Sequence, residues 1–271
     1  MATYKNDIIL IAGSGNFAFE AANFLINKEK LEHIVLVSKN PKISKRYKKI
    51  VSYFDVRDIE NIVKFIKKKF VTNVLIIGYV QLPPIKEMKL SLSSKLIFTK
   101  NLFSNNINNQ SKILKKFIES KNLKLISQKI IFDKFLINFS DQQLMNDHKN
   151  IYKNIFKNLL LIKKIFSLNL SQSFVMDGDR IIAIEDIFGT DNMIKKFKNL
   201  NKQFKNLTFI KSIKKDQINE IDFPIIGNQT LDLLIKFNFK AVCLVHKNII
   251  IANKNAFIEK IYKSKLSLIV I

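Results

Sequence analysis

The chain has one cysteine, no tryptophan, four prolines and six glycines in 271 residues. A lone Cys243, inside "KAVCLVHKNIII", forms no intrachain disulfide and reads as a small buried hydrophobe. That usage fits a reducing compartment. So little glycine and proline excludes collagen-like or low-complexity organisation. No apolar run approaches the roughly 18 to 20 residues that span a bilayer. The N-terminus also lacks a charged-then-apolar signal pattern, so the expected location is cytoplasmic. Arginine is scarce too: Arg46, Arg57 and Arg180 are the only three among 46 basic residues.

Lysine, asparagine, isoleucine and phenylalanine are abundant instead. Net charge is +24, but these four residues share A/T-rich codons, so base composition alone generates that excess. A base-reading surface would favour Arg, whose planar fork pairs with guanine edges, and no nucleic-acid partner is expected. The excess suits contact with anionic lipid or phosphate. With 47% hydrophobic and 25% charged residues, the composition is globular, and the length suits one large domain or two ordinary ones.

Strand-like and helix-like segments alternate through the first half. "DIILIAG" reads as a buried parallel strand and "NFAFEAANFLINK" as a helix. "HIVLVSK" is a second strand, and "DVRDIENIVKFIKKKF" is an amphipathic helix with Ile59, Ile62, Val63 and Ile66 on one face. "VTNVLIIGYV" is a third strand, "SKILKKFIES" a helix and "LKLIS" a strand. This is a doubly wound α/β pattern. The expected division is a Rossmann-like domain over 1–135 and a second α/β domain over 136–271, with the ligand cleft between them. Of the stretch 139–168, the early part reads as a polar loop and the later part as a helix that would link the two. "SQSFVMDGDRIIAIEDI" predicts a hairpin around Asp177-Gly178-Asp179. A helix capped by Thr190 follows, then helix, strand, turn, strand, helix and strand from about Thr230 onward.

Gly13-Ser14-Gly15 sits between the first strand and helix, where glycine permits a tight turn and close approach of a phosphate. A tight turn with no ligand explains it equally well. Ala18 takes the third position of the dinucleotide fingerprint, but the second strand ends in Ser38, Lys39 and Asn40 where a ribose-binding acid belongs. An NADP-linked oxidoreductase using Gly13, Gly15 and Lys39 is the alternative this turn offers.

Two later stretches carry more chemistry: "IAIEDIFGTDNM" (182–193) and "KKDQINEIDFPIIGNQT" (214–230). Glu185, Asp191 and Asp222 are oxygen ligands of the kind Mg²⁺ uses when it also holds phosphates. Thr190 offers a hydroxyl, and Lys214 and Gln217 suit phosphate or sugar oxygens. On composition alone, Asp191 is also explained as support for a helix start and Asp222 as an ordinary loop acid. His148, beside Asp147, reads as a base or as a surface residue; His33 and His246 read as structural.

"GTDNM" after "AIE", followed by "QINEIDFPIIG", resembles the LpxI type of UDP-2,3-diacylglucosamine pyrophosphatase, with "IAGSGNFA" and "GYVQLPP" in the expected order upstream. The resemblance implies a Rossmann-like N-terminal domain and a C-terminal α/β domain. It also implies Mg²⁺-dependent hydrolysis of UDP-2,3-diacylglucosamine to lipid X and UMP in lipid A synthesis, with water attacking the β-phosphorus. It makes Asp222, Asp191 and Glu185 catalytic, with Asp222 and Asp191 on the metal. Gly13, Ser14, Gly15, Gln172, Gly189, Thr190, Lys214, Gln217, Gly227 and Thr230 would bind substrate. The implied partner is a UDP-linked acylated glucosamine; a homodimer and peripheral contact with the inner membrane are compatible with it. The chain departs from the family pattern at Phe188, Glu220, Tyr79 and Leu82, where the family usually carries Glu, Arg, Asn and Arg. A lipid- or nucleotide-binding relative without turnover is the alternative those departures raise.

Overall fold

The computed structural model describes residues 7–80, 83–99, 107–199 and 203–271. They divide into two compact units. The first comprises Met1–Ile131 together with the short segment Ile218–Asp222; the second comprises Phe132–Gln217 and Phe223–Ile271.

Unit 1 runs β1 (Ile8–Ala12), α1 (Asn16–Asn27), β2 (Leu31–Leu36), α2 (Pro41–Arg46), β3 (Val51–Tyr53), α3 (Ile59–Lys68), β4 (Asn73–Ile77), α4 (Leu92–Thr99), α5 (Ile107–Ser120), β5 (Lys124–Leu125) and α6 (Gln128–Ile131). The strands form a sheet of order β3-β2-β1-β4-β5, and every pairing is parallel. That order is the Rossmann-like one, with the reversal of winding between β1 and β4. Parallel strands are buried on both faces, which is why β1, β2 and β4 read as near-continuous apolar runs. Ile9, Val35, Val74 and Ile76 face a core shared with α3 and α5. The expected face of α3 is the buried one: Ile59, Ile62, Val63 and Ile66. The sequence reading omitted β3, whose three residues carry no long apolar run.

One carboxylate ties α3 to the start of α4. Ser91 donates to Glu60 Oε1 from its hydroxyl (2.6 Å) and its backbone N–H (2.9 Å). Burial opposes ionisation of Glu60, but these bonds and one from Ser94 outweigh it, lowering its pKa from 4.5 to about 2. The folded-state value is depressed, so the stabilisation is full above about pH 4.5 and is lost as pH falls toward about 2. Melting curves should therefore show Glu60→Gln less stable than the parent at pH 7, with the gap closing as pH drops through that window. A gap independent of pH would mean that the charge at Glu60 contributes nothing.

Unit 2 runs α7 (Lys149–Lys157), α8 (Leu159–Ser167), β6 (Ser173–Asp177), β7 (Arg180–Ile184), α9 (Thr190–Lys195), β8 (Leu207–Lys211), β9 (Ile225–Ile226), α10 (Asn228–Lys236), β10 (Ala241–Leu244), β11 (Ile250–Ile251), α11 (Lys254–Lys263) and β12 (Ser267–Val270). Its main sheet has the order β12-β10-β8-β6-β7. β8, β10 and β12 are parallel, β6 is antiparallel to β8, and β7 is antiparallel to β6. Alternate residues serve two cores, as the period of two along a strand requires. Val175, Phe209, Val242 and Leu268 face the α9, α10 and α11 side. Phe174, Ile210, Cys243 and Ile269 face α7 and α8. Cys243 is fully buried, and burial pushes its thiol pKa well up, so it is an inert hydrophobe.

The segment read as a helix linking the domains is two helices, parted at Asn158, whose side-chain amide donates to Asn154 O (2.9 Å) and to Asp179 (2.7 Å). Its apolar stripe, Ile151, Ile155, Ile162 and Ile165, packs into unit 2's own sheet. The central strand β8, buried along its whole length, went unread. The hairpin around Asp177-Gly178-Asp179 is present, with Gly178 at φ 59°.

Candidate active-site residues

In unit 2 the carboxyl ends of β7 and β8 meet the amino end of β6, because Ser173 pairs with Lys211 and Phe174 with Ile184. Polar side chains gather at this edge. Glu185, one residue beyond β7, accepts the Ser173 hydroxyl on Oε2 (2.6 Å) and the Thr190 hydroxyl on Oε1 (2.8 Å). Lys211 Nζ donates to Thr190 Oγ1 (3.2 Å). At the next residue, Asp191 Oδ1 accepts the Thr230 hydroxyl (2.6 Å), joining the starts of α9 and α10. The sequence-named Glu185, Thr190, Asp191 and Thr230 therefore form local pairs within one unit. Lys211 and Ser173 were not anticipated.

Thr190 is not the cap of α9. Gly189 is the capping residue, at φ 86°, a backbone conformation that residues with a Cβ rarely adopt. Thr190 is the first helical residue, which turns its hydroxyl to Glu185 instead. Gly227 holds the equivalent position before α10, in extended backbone. Gln217 is buried and its Oε1 accepts from the Lys214 backbone N–H (3.0 Å), so it closes the loop after β8. Gln172 accepts from Ser212 N–H through its backbone carbonyl (3.0 Å). Phe188 is 69% exposed beside the cluster.

His148 stands elsewhere. Its Nδ1 bonds Ser267 Oγ (2.9 Å), and Ser267 begins β12, at the amino end of the parallel strands. Burial, aided by Lys240, lowers its pKa and favours the neutral ring. It is not the base of the Glu185 cluster. His33 and His246 have structural partners, Ser52 (3.0 Å) and the stacked ring of Phe139 (4.1 Å between centroids).

Asp222 belongs to unit 1, as the last residue of the returning segment Ile218–Asp222. Ile221 packs against the α3–α5 core. Gln128, 2% exposed, donates from Nε2 to Ile76 O (2.8 Å) and Ile221 O (3.1 Å), lashing the segment to the end of β4. Glu220 pairs with Lys115 (2.9 Å), so the acid at the family's arginine position has its own local counter-charge. Gln128→Leu leaves those two carbonyls short of a donor and is expected to destabilise unit 1 by about 1–3 kcal/mol. Urea unfolding checks this; an unchanged midpoint would show that the amide contributes nothing.

The glycine turn is built chiefly for close backbone approach. Gly13 N–H donates to Ile77 O (2.8 Å) and Ser14 N–H to Tyr79 O (3.0 Å), so both amides already serve the protein. Asn40 donates to Gly15 O (3.2 Å) and Gly13 O (3.4 Å) where a ribose-binding acid was missing. Tyr79 is exposed, and Leu82 lies outside the described residues.

The chain matches the LpxI N-terminal domain over residues 7–135 and the LpxI C-terminal domain over residues 141–269. It belongs to the LpxI family. A search of curated proteins gave no match. For this LpxI protein the metal question turns on the donor set. Among the described residues no three His, Cys, Asp or Glu side chains converge into a ready cage. Mg²⁺ needs none, because it is commonly held by one or two carboxylates plus substrate phosphates and water. Asp222 in unit 1 and Asp191 in unit 2 are each a hard oxygen donor of the kind this pattern uses, and the Thr230 hydroxyl orients Asp191 as outer partners orient ligands elsewhere. Glu185 accepts a hydroxyl hydrogen bond on each oxygen, which fixes its orientation. No described helix is long and apolar enough to cross a membrane.

Proposed function

We propose that this protein hydrolyses the pyrophosphate bond of UDP-2,3-diacylglucosamine, with Mg²⁺, to give lipid X and UMP. One observation carries the reading: both LpxI domains match, in order, along the chain. Water adds to the β-phosphorus, the bond to the bridging oxygen breaks, and UMP leaves with that oxygen. Asp222 orients the water and takes its proton. Magnesium, when bound, offsets the charge of the pyrophosphate oxygens, and Asp222 and Asp191 are the carboxylates we assign to it. Glu185 and Thr190 orient one another, and Thr190 directly precedes Asp191. The test is UMP release from UDP-2,3-diacylglucosamine with and without Mg²⁺. Metal-dependent release is expected. No release from folded protein would overturn the reading for this substrate. Thermal stabilisation by UMP or lipid X without turnover would then favour the binding-only alternative, which the substitutions Phe188 and Glu220 support.

A further inference from the structure

Lys211 is 3% exposed, yet among the described residues its ammonium has no carboxylate oxygen within 4.0 Å. Among the described residues the ammonium donates to the hydroxyl of Thr190 (3.2 Å). A buried charge without a close counter-charge is costly by several kcal/mol. An ammonium also has three donors to place. The neighbours do not solve this. Thr190 gives its proton to Glu185 Oε1, which turns an oxygen lone pair toward Lys211. Ser173, paired with Lys211 across the sheet, gives its proton to Glu185 Oε2. The negative charge of Glu185 therefore reaches Lys211 only through an intervening hydroxyl. This stands at the carboxyl end of a parallel strand, the edge where open α/β sheets bind ligands.

We propose that Lys211 is an anion anchor, donating to a phosphate oxygen at the carboxyl end of β8, with Thr190 aiming its ammonium. The choice of phosphate over other oxyanions rests on the proposed reaction; the buried cation does not. A point-charge lysine suits a phosphate that turns as its anhydride bond breaks, whereas an arginine fork would fix one face.

The test uses the full chain and inorganic pyrophosphate in the presence of a chelator, so that carboxylate-bound metal plays no part. Calorimetric titration should show saturable binding by the parent, weakened at least tenfold by Lys211→Met and unchanged by Lys236→Met at the exposed end of α10. Glu185→Gln removes the opposing negative charge and should tighten binding at least threefold. Competition by UMP would assign the anchor to the uridylate phosphate; competition by lipid X alone would assign it to the sugar phosphate. No saturable binding, or Lys211→Met within twofold of the parent, overturns the proposal. If Lys211→Met does not fold, Glu185→Gln decides: tighter binding supports the anchor and unchanged binding removes it. Turnover of UDP-2,3-diacylglucosamine is measured separately. Turnover with kcat and KM unaltered in Lys211→Met sinks the anchor alone. Lysine-dependent pyrophosphate binding without turnover sinks the reaction alone.

Discussion

Asp222→Ala is expected to cut UMP release from UDP-2,3-diacylglucosamine by roughly a thousandfold or more, within the range for losing a general base together with its share of metal binding. The fold should survive. Asp222 is partly exposed, and the segment it ends is held by others: Gln128 on Ile221 O, Lys115 on Glu220, and its own N–H on Ile218 O (2.9 Å). Melting temperature and circular dichroism should therefore match the parent while turnover vanishes. Asp222→Asn keeps the shape and loses the charge, and should be nearly as inactive. Activity within tenfold of the parent in either variant would move the proton acceptor elsewhere, with Glu185 the next candidate.

Gly13→Ala is expected to have the largest effect on folding, about 3 kcal/mol or more, because its cause is backbone overlap rather than a lost contact. A Cβ at Gly13 would lie 2.4 Å from Tyr79 O and 2.8 Å from Val80 Cγ2. The carbonyl cannot step aside freely, since it accepts the Ser14 N–H at 3.0 Å while Tyr79 N–H returns a bond to Ser14 O at 3.0 Å. Gly15→Ala meets nothing within 4 Å, but its φ of 108° is unfavourable for a side chain, so a smaller loss of about 1–3 kcal/mol is expected. Hydrogen exchange at β1 and β4 separates the cases. Gly13→Ala should raise exchange in both strands, whereas Gly15→Ala should chiefly affect the start of α1. Equal, small effects would mean that the 77–80 loop yields easily and that close approach is not why Gly13 is glycine.

The parts legible in the sequence were those whose pattern is local. The stripe on α3, the Gly178 hairpin and the strand–helix alternation of unit 1 each follow from spacing within a dozen residues. β8 was missed because "LTFIK" is short and follows a lysine- and asparagine-rich stretch that reads as polar. Lys211 was hidden among the many other lysines; only burial distinguishes it. Asp222 was found through its motif, but not its membership of unit 1. That depends on Ile221, a single apolar residue among polar neighbours, and on Gln128, roughly 90 positions earlier. The capping role went to Gly189 because a hydroxyl engaged by Glu185 is not available to cap the helix.

The returning segment also sets a schedule for synthesis. Ile218–Asp222 leaves the ribosome after roughly 90 further residues have followed Ile131, which at ordinary elongation rates is about 5 to 20 s. During that interval the nascent first domain has its sheet and helices but lacks the strip that covers Ile221's place in its core and satisfies Gln128. A fragment ending at residue 131 is thus an incomplete body, and a gene split there would yield a partner-seeking half that only a supplied 218–222 strand of chain could complete.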